Sequence, residues 1–80
     1  QGKLDEAMAL VDEGIAISTR QSFFLANLHT VRGEIFEAKA ELETDQEKLR
    51  EAKREAIEAF DASIQINKAL LKTLRSGDQQ

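Results

Sequence analysis

Apolar residues return every three or four positions along nearly the whole chain, and the interruptions in that rhythm divide it into three helices. Leu4, Ala7, Met8, Val11, Gly14 and Ile15 form the first line, which is the spacing of one helical face. Leu10 and Ile17 widen it, and the spacing predicts a helix over about residues 3–19. Asp5 and Glu6 fall in its first turn, where the positive end of the helix dipole favours carboxylates. The polar run Ser18-Thr19-Arg20-Gln21-Ser22 ends it, and Ser22 has the chemistry to cap a second helix. From there Phe24, Leu28, Val31 and Ile35 make one line, with Leu25, His29, Arg32 and Phe36 beside it. Two adjacent lines suit a helix touched on more than one side, over about residues 23–42. Its last turns, Glu37 to Leu42, carry few large apolar groups and are expected to project from the core.

Thr44-Asp45-Gln46-Glu47 matches the Ser/Thr-x-x-Glu capping box, in which hydroxyl and carboxylate each satisfy an exposed backbone N–H. It is the only local signal that residues 41–47 turn rather than continue as one helix. A third helix is then expected over about 45–75, through Leu49, Ala52, Ala56, Ala59, Phe60, Ser63, Ile64, Ile66, Leu70, Leu71 and Leu74. Lys72 and Arg75 suit its C-terminal end and Gly77 can supply a left-handed cap. Gly33 stands inside the second helix, where glycine costs about 1 kcal/mol relative to alanine. A close neighbour would explain its presence.

Composition agrees with this pattern. Proline is absent and only four residues are glycine, so an all-α fold of three antiparallel helices with short turns is expected. Eighty residues make one small domain, whose core supplies only a few kcal/mol of net stability; a partner or a neighbouring repeat would add to it. No cysteine is present, which removes disulfides and thiolate metal sites and leaves a reducing cytoplasm as the default setting. No apolar run reaches the roughly 20 residues of a membrane span. Fifteen acidic and 11 basic residues are mixed along the chain, for a net charge of −4. No basic stripe is gathered for nucleic acid or for an anionic membrane.

Two of the helices resemble those of the tetratricopeptide repeat family. Gly33-x-x-Phe36 is similar to the signature of that repeat's helix A, and Ala56-x-x-x-Phe60 to that of helix B. Gly2 to Ala7, followed by Val11, resembles the turn and helix B of a preceding repeat. The wording Leu28 to Ile35 is also similar to longer, degenerate repeats in bacterial signalling ATPases, adenylate-cyclase-associated proteins and transcription activators. The sequence departs from the family at His29, where a large aromatic is usual, at Arg32 in place of leucine, and at Lys68 in place of the closing proline. Gly33 and Ala56 lie 23 residues apart, against roughly 12 in an ordinary repeat of about 34. The extra residues amount to about three helical turns, shared between two helices whose tip falls near residues 43–46. The resemblance implies one and a half repeats: helix B, helix A and an elongated helix B. Residues 1–76 are expected to form a single fragment of a larger protein, with 77–80 a frayed tail.

The resemblance also implies a function. The chain reads as a protein-interaction or regulatory scaffold module of a signalling protein, with a protein or peptide bound along the concave surface of helix A at Asn27, Thr30, Glu34 and Glu37. Ala7, Gly33, Phe36, Ala56 and Phe60 take packing roles. The pattern that clamps a peptide's terminal carboxylate is absent. His29 is the only histidine and reads as a packed side chain rather than a metal ligand, and Arg32 as a core-edge group or the partner of a carboxylate on another helix. Neither phosphate loop, nucleophile elbow nor metal spacing occurs; the chain is read as a non-enzyme without cofactor. Leu42, Leu49, Ala56, Ser63 and Leu70 recur every seventh position, with Ala52, Ala59 and Ile66 three later. That line is the alternative: a coiled-coil seam for homo-oligomerisation.

Overall fold

The computed structural model describes residues 2–17 and 22–78, with side chains as far as Arg75. Three α-helices follow one another: α1 Gly2–Ile17, α2 Phe23–Leu42 and α3 Gln46–Asp78. The fold is all-α, and the bounds of α2 are those the periodicity predicts. Ser22 caps it as expected: extended backbone at that residue lets its hydroxyl accept the Leu25 N–H at 3.0 Å. Gly2, expected in the turn before the first helix, is already helical. The expected end of the first helix at Ser18 and Thr19 lies outside the described residues.

The hairpin tip falls at residues 43–45, but the cap differs from the expected box. Asp45, not Thr44, starts α3: its carboxylate accepts the N–H groups of Glu47 (2.9 Å) and Lys48 (3.2 Å). Just before it, the Glu43 carboxylate accepts the N–H groups of Thr44 and Asp45, both at 3.1 Å. An aspartate can take over because its carboxylate accepts more strongly than a hydroxyl. At the other end α3 runs through Gly77 and Asp78, and no glycine takes a positive φ among the described residues. Gly77 is therefore no left-handed cap, and the expected tail is helical as far as Asp78.

The helices lie side by side. α2 touches both neighbours, whereas α1 and α3 do not touch each other, and the Cα positions span 54 × 22 × 13 Å. Both neighbours run antiparallel to α2. Asp5 meets Lys39 and Asp12 meets Arg32 on one side; Thr30 meets Ser63 and Gly33 meets Phe60 on the other. The core on the α1 side is Met8, Val11 and Ile35, with Leu4, Ala7, Ile15, Leu28, Val31 and Phe36 packed around it. Gly14 admits Leu28 there: a Cβ on Gly14 would stand 3.1 Å from Leu28 Cδ1.

On the α3 side the contact is made of small residues, with Ala26, Gly33 and Ala40 facing the buried Ala56, Ala59, Ser63 and Ile66. Ala56, Ala59, Ser63 and Ile66 of the seven-residue line read as an alternative oligomer seam are thus covered by α2 within the chain, while Leu42 lies on α2 itself and is exposed. Three other expectations change. Leu10 and Ile17 do not widen the buried face of α1 but are exposed, and so is Phe24 on α2. The last turns of α2 do not project, because Ala40 is buried and Lys39 Nζ stands 2.8 Å from Asp5 Oδ1.

Candidate protein-docking groove

Helical spacing of about 100° per residue sets Asn27, Thr30, Glu34, Glu37 and Glu41 on one side of α2. Asn27, Glu34, Glu37 and Glu41 are exposed there. Thr30 is not free for a ligand. Its hydroxyl donates to the Ala26 carbonyl at 3.2 Å and lies 2.7 Å from the Ser63 hydroxyl, which is buried. With the Thr30 proton directed at Ala26, Ser63 donates to Thr30. The sequence missed this because threonine on an exposed helical line and threonine bonded to the next helix have the same spacing.

Beside Glu37 the seam between α2 and α3 opens into a groove of about 580 Å³. Ala40 and Ala56 make its floor: two methyl side chains facing each other leave a hollow that larger residues would fill. Leu49 and Phe60 add apolar wall, Ile57 and Lys53 stand on the α3 rim, and Glu37 and Glu41 stand on the α2 rim. The Phe60 ring also lies over Gly33, so this side chain joins the groove to the closest approach of the two helices. Of the four expected binding residues, only Glu37 lines the groove; Asn27 and Glu34 extend the same polar face along α2. Glu41, Lys53 and Ile57 were not anticipated. A signal existed for Ile57: Ile57, Ile64 and Leu71 form a second seven-residue line, one position after the line that packs on α2.

The other expected residues hold structure. Ala7 and Phe36 pack against the α1–α2 core, Gly33 and Ala56 are buried, and Phe60 is half-buried. Arg32 takes both expected roles, as its Nε donates to Asp12 Oδ1 at 2.9 Å while its guanidinium lies 4.9 Å from the centre of the Phe36 ring. Burial, and secondarily the positive charge of Arg32, lower the pKa of His29 below its ordinary value of 6.5. Among the described residues no three His, Cys, Asp or Glu side chains gather to hold a metal ion, and no helix is long and apolar enough to cross a membrane.

The chain matches no family model, no curated protein and no solved structure. Its chemistry must be argued from its own residues. An open groove with a methyl-lined floor and two carboxylates at one edge can take an apolar side chain whose neighbours are basic.

Proposed function

We propose that this chain is a protein-interaction module of tetratricopeptide type, in which the groove between α2 and α3 receives a peptide or helix from a protein partner. One observation carries the reading: between α2 and α3 a groove opens on an apolar lining of Ala40, Leu49, Ala56 and Phe60. Glu37 and Glu41, with Glu34 a turn away, favour a ligand that carries lysine or arginine beside its apolar anchor. Gly33 under the Phe60 ring and the buried Ala56 on α3 support the resemblance to the repeat family, whose helices approach at small residues. The wider setting, a regulatory scaffold in a larger cytoplasmic signalling protein, rests on that resemblance alone.

A labelled peptide with one central leucine flanked by lysines tests this against the same peptide flanked by glutamates. The basic peptide is expected to bind the chain and shift the amide resonances of Ala40, Glu41 and Ile57. Glu37→Gln with Glu41→Gln should weaken it. Equal binding of both peptides, or resonance shifts centred on α1, would overturn the proposal.

A further inference from the structure

Ile57, Ile64, Leu71 and Leu74 are 68%, 50%, 52% and 54% exposed. With half-buried Phe60 and Asn67 they occupy positions 57, 60, 64, 67, 71 and 74, alternating steps of three and four. That is the spacing of a coiled-coil seam, and it is separate from the Ala56, Ala59, Ser63 and Ile66 line that α2 covers. α2 cannot reach its end. By the register of Thr30 with Ser63 and Gly33 with Phe60, α2 begins at Phe23 opposite Leu70, so Leu71 and Leu74 extend past it.

We propose that a second copy of this chain docks on this stripe, with the two α3 helices antiparallel. The charges select the occupant. Arg54, Asp61, Lys68 and Arg75 run at seven-residue intervals along the solvent edge of the stripe. On the opposite edge the equivalent positions are Ala56, Ser63 and Leu70, which are uncharged. In a parallel pair each charged edge would meet the partner's uncharged edge, and no charge pair would form. An antiparallel pair instead lays like edges together. Stacking Ile57 on Leu74, Phe60 on Leu71 and Ile64 on Asn67 of the other copy brings Asp61 of each chain beside Lys68 of the other, twice by symmetry. Arg54 and Arg75 then meet at the ends, where Arg54 already lies among Glu51, Glu55 and Glu58 of its own helix. The two Asn67 side chains fall in neighbouring central layers, where a polar pair fixes register.

This goes beyond the groove reading and stands without it. Ile57 and Phe60 serve both surfaces, so the test avoids them. Sedimentation equilibrium of the 80-residue chain over a wide concentration range is expected to give a monomer–dimer equilibrium. Asp61→Lys, an exposed change that leaves the α2 contact untouched, should weaken the dimer by about tenfold or more. Adding Lys68→Asp should restore it, and Ile64→Glu should abolish it while circular dichroism stays helical. A chain that remains monomeric at the highest concentrations overturns the proposal. So does a dimer indifferent to Asp61→Lys, or one that Lys68→Asp fails to rescue.

Discussion

Replacing Gly33 by alanine sets two known quantities against each other. A Cβ built on Gly33 would lie 2.7 Å from one carbon of the Phe60 ring and 2.8 Å from two more. Carbon atoms in van der Waals contact sit about 3.5–4.0 Å apart, so the ring must retreat by about 1 Å. Overpacking of this kind costs about 1–3 kcal/mol. Phe60 also borders the groove, which gives the ring one direction of escape and favours the lower end of that range. Against this, alanine in a helix interior gains about 1 kcal/mol over glycine. The net expectation for Gly33→Ala is a loss of about 0–2 kcal/mol. The decisive measurement repeats the change in a Phe60→Ala background, where no ring remains to be displaced. There Gly33→Ala should stabilise the chain by about 1 kcal/mol. Urea unfolding of the four proteins, followed by far-ultraviolet circular dichroism, gives the coupling between the two sites, expected at about 1–3 kcal/mol. If Gly33→Ala is equally stabilising in both backgrounds, the ring is not held over the glycine and the reasoning fails.

Asp45→Ala should cost about 1 kcal/mol of stability by removing the α3 cap, while Thr44→Ala should change little; the reverse order in thermal melts would restore the threonine box. Thr30→Val removes the acceptor of the buried Ser63 hydroxyl and should cost about 1–2 kcal/mol. Ser63→Ala leaves Thr30 bonded to Ala26 and should cost less, and the double variant should be more stable than Thr30→Val alone; equal losses in denaturant titrations would refute the pairing. His29 has a folded pKa below its unfolded value, so its contribution to stability is full above about pH 6.5 and is lost as pH falls toward the folded pKa. His29→Gln should flatten the fall in melting temperature between about pH 7 and pH 5; an unchanged profile would show that another group titrates there.

Signals confined to a few neighbouring residues were legible in the sequence. The start of α2 follows from Ser22, and the position of the hairpin tip follows from the capping signal at Thr44 to Glu47 and from the interval between Gly33 and Ala56. Gly33 itself was legible because glycine has a known cost in a helix, but that its close neighbour is the Phe60 ring was not. What failed required knowing how two helices face each other. Thr44 and Asp45 are both capping residues, and the choice depends on the backbone path that Glu43 sets. Thr30 belongs to the polar line of α2 by spacing and to the α3 contact by structure. The groove is a gap between Ala40 and Ala56, and a gap is a property of two faces together.

The lack of contact between α1 and α3 has an energetic consequence. Each interhelical seam passes through α2, so the molecule behaves as a chain of two linked couplings rather than as one shared core. α1 can detach while the α2–α3 hairpin persists, but loss of α2 frees both neighbours at once. Amide hydrogen exchange should therefore separate into two classes, with α1 opening at a lower free energy than the more extensive contact between α2 and α3. A ligand held in the groove between α2 and α3 would raise the protection of those two helices and leave the separate opening of α1 unchanged.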